Sequence, residues 1–248
     1  MRNAKILAIV VMCFAVGLLG SVASAQTYFS DDFNTPNQSE EKWHPLYGQW
    51  EFEDDEYHQL LNGLNCMSVI SDEYWDDSWN EYTFEVRANK ISGAEGFLIM
   101  FRCMGQMQPR DVALQDHPPR MQNDAANLQY WWNLGGWANV RSQVESWGGR
   151  AGANTNHIID TDRWYDIKIV NTPEKYTLFL DGDEIASVDD NTQNGAGRVG
   201  LATWSTTARF DDVIVHGTGG LSGEAVEPVG KLATSWARVK SRVLTNWF

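Results

Sequence analysis

Apolar positions between residues 26 and 216 recur with a period of two. In Glu81–Arg87, Tyr82, Phe84 and Val86 share one face and Thr83, Glu85 and Arg87 the other, as in a strand buried on one side. Phe97, Ile99 and Phe101 alternate with Leu98, Met100 and Arg102, so that strand is expected to be covered on both faces. Trp164–Val170 and Tyr176–Leu180 alternate as well. Asp181-Gly182, followed by Asp183-Glu184-Ile185, supplies the positive φ angles of a tight hairpin turn. Arg198–Trp204 and Ala208–Val215 read as closing strands, and no stretch of 26–216 shows a sustained helical period. Many short strands parted by Gly, Asn and Asp predict an all-β fold, a two-sheet antiparallel jelly-roll sandwich over residues 26–216. Met104–Asn127, with Pro109, Pro118 and Pro119, is a long polar connection of the kind that is functional or unstructured.

The two ends break this pattern. Arg2 and Lys5 precede the apolar run Ile6–Leu19, and small residues end at Ala23 and Ala25, so residues 1–25 read as a signal peptide. The protein is therefore expected to be secreted, extracellular, at the cell surface or periplasmic. Residues 217–230 read as a flexible linker. In 231–248, Leu232, Trp236, Val239, Val243 and Trp247 share one helical face beside Lys231, Arg238, Lys240 and Arg242. A short basic amphipathic C-terminal helix is expected there, with an envelope surface or a partner protein as its target.

A net charge of −14 disfavours binding to phosphate backbones, so no nucleic-acid partner is expected. Twelve tryptophans in 248 residues, with 21 glycines, point instead to flat apolar faces that suit sugars or interfaces. Beyond the signal segment the cysteines are Cys66 and Cys103, which either close one disulfide or are two separate buried thiols. The five histidines are scattered singly and suggest no triad or metal motif.

Three stretches in order carry a resemblance: Gly93–Phe101, Tyr130-Trp-Trp-Asn-Leu-Gly-Gly-Trp137, and Val140–Glu145. Ser30-Asp-Asp-Phe33, Trp164–Lys168, Tyr176–Asp183 and Arg198–Val215 frame them. The chain resembles the non-catalytic β-sandwich of family 51 α-L-arabinofuranosidases over roughly residues 28–216. More broadly it is similar to concanavalin A-like, laminin-G-type sandwiches, including fructan-binding modules and the 3-keto-disaccharide hydrolase domain. The resemblance implies a jelly roll with one curved face that holds a sugar. The length is taken up by the sandwich and the tail, so the parent enzyme's activity is not carried over.

The candidate ligand-binding residues are Glu95, Arg102, Trp132, Asn133, Arg141, Gln143, Glu145 and Trp204. Glu95 stands in an apolar stretch, so its carboxylate needs partners: sugar hydroxyls, or Arg102 or Arg141. Alternation puts Trp131 and Asn133 on one face of a strand and Tyr130 and Trp132 on the other. One aromatic set is core and the other faces the groove, and Trp132 is placed on the groove side. Arg141, Gln143 and Glu145 must share a face, either a solvated outer face or a polar binding floor. Glu51–Glu56 reads as a solvated turn centred on Asp54-Asp55. Asp32 and Asp211, with Asp31 and Asp212 beside them, are oxygen donors that could take Ca²⁺, against a reading as edge-strand charges. The expected function is non-catalytic binding of an oligo- or polysaccharide of plant or microbial origin. The alternatives are a glycoside hydrolase using Glu95 and Glu145, and a structural or adhesive surface protein.

Overall fold

The computed structural model describes residues 26–104, 130–146 and 151–217. The expected signal peptide, the Met104–Asn127 connection beyond Met104, the linker after Gly217 and the C-terminal helix lie outside the described residues. Within them the strands are, in chain order, β1 (Thr27–Asp31), β2 (Trp43–Tyr47), β3 (Trp50–Glu53), β4 (Glu56–Gln59), β5 (Cys66–Ile70), β6 (Tyr82–Gly93), β7 (Phe97–Cys103) and β8 (Tyr130–Gly135). They continue with β9 (Arg141–Ser146), β10 (Ala151–Asn154), β11 (Trp164–Asn171), β12 (Lys175–Leu180), β13 (Asp183–Asp189), β14 (Arg198–Thr203) and β15 (Thr206–Gly217). One short helix, α1 (Pro36–Lys42), follows β1. Proline opens it, where its missing N–H costs nothing, and it buries only Ser39, so no apolar stripe announced it.

The strands form two antiparallel sheets. The first runs β13-β12-β11-β6-β15-β4-β3, with β1 also on β15; the second runs β10-β9-β8-β7-β14-β5-β2. This is the expected jelly-roll sandwich, closed by first and last strands that pair: Asp31 lies opposite Val213. Both Asp turns are left-handed hairpins as expected, with φ of 53° and 61° at Asp54-Asp55 and 52° and 90° at Asp181-Gly182.

Alternation sets the core. Phe84, Val86, Ile167, Ile169, Leu178, Phe210 and Val215 face inward from the first sheet. Phe97, Ile99, Phe101, Tyr130, Trp132, Leu134, Val144 and Leu201 meet them from the second. Polar groups cross the core in pairs: the Tyr57 and Ser68 hydroxyls are 2.8 Å apart, and Tyr82 Oη donates to the Gly197 carbonyl at 3.2 Å. A second, smaller buried cluster lies on the other face of the second sheet, made of Leu46, Met67, Val69, Leu98, Met100, Cys103 and Ala202.

Cys66 and Cys103 are two separate buried thiols. They sit on opposite sides of β14, Cys66 opposite Thr203 and Cys103 opposite Arg198. Five residues along a strand is roughly 16 Å at about 3.3 Å per residue, against a limit of about 7 Å between bridged Cα atoms. Burial pushes the Cys103 thiol up to about 12. Both cysteines are therefore expected to resist alkylation in the native protein and to react on unfolding. Recovery of a Cys66–Cys103 disulfide peptide by mass spectrometry would contradict this.

Candidate functional site

Core packing decides what the outer face of the second sheet displays. Tyr130, Trp132, Leu134 and Val144 are buried inward, so Trp131, Asn133, Arg141, Gln143 and Glu145 lie on the outer side of β8 and β9, Asn133 being covered there and the others part-exposed. The register aligns them in rows. Trp131 lies opposite Glu145 and Asn133 opposite Gln143, with Asn154 of β10 beyond Gln143. On the other side Met100 lies opposite Trp131 and Leu98 opposite Asn133. The face is thus polar over β8–β10 and apolar over β7, β14 and β5.

Hydrogen bonds fix the polar half. Glu145 Oε2 accepts the Trp131 indole N–H at 2.9 Å and an Asn133 amide N–H at 3.2 Å. The Arg141 guanidinium stacks on Trp137, 3.6 Å from the ring centre. Trp137 is carried by a tight turn joining β8 to β9, in which Gly135, Trp137, Ala138 and Asn139 have φ of 70°, 52°, 61° and 60°. Glu95, in the loop between β6 and β7, accepts the Ala138 backbone N–H at 3.3 Å and also that of Trp137. Burial raises the Glu95 carboxyl above its ordinary range; Glu145 also raises it, while the turn amides and Lys90 pull it down.

Of the residues expected at the site, the structure gathers Glu95, Asn133, Arg141, Gln143 and Glu145 at this half of the face. Trp204 lies half-buried at the margin of the apolar cluster, at the same end as Glu95, whose N–H donates to Thr206 Oγ1 at 3.2 Å. Two expectations are corrected. Trp132 is a core residue at 0% exposure, its indole N–H directed to Thr155 Oγ1, and Trp131 holds the outward position. Arg102 is also turned away, because its own φ of 50° makes a bulge against β14 that reverses the alternation. Its guanidinium is fully buried. It donates to Asn171 Oδ1 at 2.6 Å, the Thr172 carbonyl at 2.9 Å and the Asp190 carbonyl at 3.0 Å, which ties the two sheets together. Trp131, the other candidate that alternation left for the groove, takes the place given to Trp132; Trp137, named only as part of the motif, and Asn154, not named, lie beside it. The Gly135-Gly136 pair was the available hint that Trp137 sits on a special turn.

A sandwich of two antiparallel sheets with an aromatic and polar outer face places the chain in the concanavalin A-like jelly-roll class. No family model matches it. Over 226 residues, 88% of this chain, it is 32% identical to an extracellular exo-α-L-arabinofuranosidase of Streptomyces chartreusis, and it spans 24% of that relative's length. Its fold is shared with the carbohydrate-binding module CBM66 of Bacillus subtilis (TM-score 0.51, 16% identity, covering 71% of this chain and 95% of that one). It is shared with SCLam, an endo-β-1,3(4)-glucanase of family GH16 (TM-score 0.54, 12% identity, 78% and 91%). Domain 4 of AbnA, an extracellular arabinanase of Geobacillus stearothermophilus solved with arabinotriose, has TM-score 0.50 and 11% identity, covering 78% and 93%.

The outer face of the first sheet is different in kind. A cleft of about 320 Å³ there is lined by Glu85, Arg87, Asp166, Lys168, Phe179 and Asp212 among others, with Arg87 drawing the aspartates together and Lys168 over the Phe179 ring. Arg87 lies 3.6 Å from Asp166, 3.5 Å from Asp211 and 3.4 Å from Asp212. Asp211 also accepts the Asp212 N–H at 2.7 Å, Asp32 accepts the Asn34 N–H at 3.3 Å, and Asp31 is bonded to Ser39 and Trp43. Among the described residues no group of three or more His, Cys, Asp or Glu side chains is placed to hold a metal ion. Burial, and then Asp212 beside it, pushes the Asp211 carboxyl up to about 7. A carboxyl raised in the folded state favours folding when protonated, so that contribution is lost as pH climbs from about 4 to about 7. Asp211→Asn is expected to stabilise the protein at pH 8 by about 1–2 kcal/mol after solvent screening. The gain should vanish near pH 4 in thermal melts, and an equal effect at both pH values would contradict the assignment.

Proposed function

We propose that this chain is a secreted carbohydrate-binding domain that takes a neutral oligo- or polysaccharide on the polar half of the second sheet's outer face. The observation that carries this reading is the alignment of Trp131, Asn133, Gln143, Glu145 and Arg141 on one face, with Trp137 beside them. Indole surfaces pack on the apolar faces of sugar rings, and fixed amide, carboxylate and guanidinium groups meet vicinal hydroxyls. The extracellular arabinofuranosidase relative supports both an arabinose-containing ligand and export, and the Met1–Ala25 pattern supports export independently. The basic pattern of 231–248 supports retention at an anionic envelope surface or a partner protein as the task of the tail.

One observation favours a second reading. Glu95 and Glu145 interact within one site and the Glu95 carboxyl is raised, as in a glycosidase acid paired with a second carboxylate. Release of reducing sugar from arabinan or arabinoxylan on prolonged incubation would support hydrolysis; none is expected from a binding domain.

Calorimetric titration with arabinotriose, arabinan, arabinoxylan and fructan fragments tests the main reading. Weak binding to at least one is expected. Trp131→Ala and Glu145→Gln should each weaken it about tenfold or more, in line with ~1–3 kcal/mol for a lost stacking or charged hydrogen-bond contact, with little change in melting temperature. Absence of binding to every one of these saccharides would overturn it.

A further inference from the structure

We propose that Glu95 is a positioning residue: its carboxylate locks the left-handed turn Gly135–Asn139 and thereby holds Trp137 in the site. This deepens the carbohydrate-binding reading and rests on it for its effect on affinity, but not for the lock itself.

The turn is one that L-residues avoid. Trp137, Ala138 and Asn139 have φ of 52°, 61° and 60° in succession, where a side chain crowds the following carbonyl. Such a run persists when its surroundings over-determine it. Its far end is held by Asn139, whose amide donates to the Ile159 carbonyl at 2.9 Å and accepts the Ile159 N–H at 2.8 Å. Its near end is held at Gly135, whose N–H donates to Ser142 Oγ at 2.9 Å and whose carbonyl accepts the Gly96 N–H at 2.9 Å. Between these clamps the N–H groups of Trp137 and Ala138 point to Glu95, and a carboxylate is the strongest acceptor a side chain offers them.

Glu95 is itself held from a third element. The Ala94 N–H donates to the Ser205 carbonyl at 2.9 Å, and the Glu95 N–H to Thr206 Oγ1 at 3.2 Å. Gly96 follows it with its backbone packed against the Leu134 carbonyl, too close for any side chain, so the chain carrying Glu95 runs directly beside β8. The β14–β15 turn thus fixes Glu95, Glu95 fixes the β8–β9 turn, and that turn delivers an indole against which Arg141 stacks. A carboxylate already committed to two backbone N–H groups acts on the ligand through Trp137.

The test uses amide hydrogen exchange over residues 135–140 without ligand, and arabinotriose affinity by calorimetry. Glu95→Ala should speed exchange at Trp137 and Ala138 and weaken arabinotriose binding about tenfold, the scale of one strained residue released. Adding Ala138→Gly, which relieves the left-handed strain without the carboxylate, should restore affinity at least in part. Glu95→Gln, which keeps one accepting oxygen, should give intermediate exchange and guards against a misfolded Ala variant. Unchanged exchange in folded Glu95→Ala protein would overturn the lock. So would a loss of affinity that Ala138→Gly leaves untouched, which would make Glu95 a direct ligand contact. If the unmodified protein does not bind arabinotriose, that failure belongs to the choice of ligand, and the exchange measurement still decides the lock.

Discussion

The burial of Trp132 is the constraint on which the site depends. A strand has two faces, and a core indole at 0% exposure commits its neighbours Trp131 and Asn133 to the other one. Pairing then propagates the choice: Val144, opposite Trp132, goes inward, and Gln143 and Glu145 go outward. A slip of one residue would exchange the whole set. Losing so large a core side chain costs on the order of 3–5 kcal/mol, so the register that displays the polar row is enforced by the core behind it.

Two departures from regular strand geometry shape the rest. The bulge at Arg102 draws a guanidinium into the interior, where Asn171, Thr172 and Asp190 of the opposite sheet side receive it. A buried charge is tolerable on these terms because its donors meet acceptors. The left-handed turn after β8 moves Trp137 out of the plane of alternation and under Arg141. Both lie at ends of strands of the second sheet, and both convert a residue that alternation would treat as generic into one with a specific task. The first sheet has a departure of its own, a bulge at Asp212 with φ of 51°, but it turns carboxylates toward Arg87, which also lies over Trp164, and so draws several acids around one cation.

The fold was legible because period-two patterning and Asp-Gly turn chemistry are local. The strands over Tyr82–Gly93, Phe97–Cys103, Trp164–Asn171 and Arg198–Thr203 follow from the residues they contain. The shared face of Arg141, Gln143 and Glu145 was legible for the same reason. The choice between Trp131 and Trp132 was not, because alternation separates the two without saying which side is core; that depends on the facing sheet. Arg102 was misplaced because a bulge is a property of pairing with β14, and the Glu95–Trp137 link was hidden because it joins loops that meet only in the assembled sandwich. Helix α1 escaped because PNQSEEK buries a single serine.

The most direct test of where the ligand sits is to follow the tryptophan indole N–H resonances by two-dimensional NMR during titration with arabinotriose. The account predicts progressive shifts for Trp131 and Trp137, on the outer face of the second sheet, with Trp132 unmoved in the core. Shifts confined to Trp164, on the outer face of the first sheet, would contradict it.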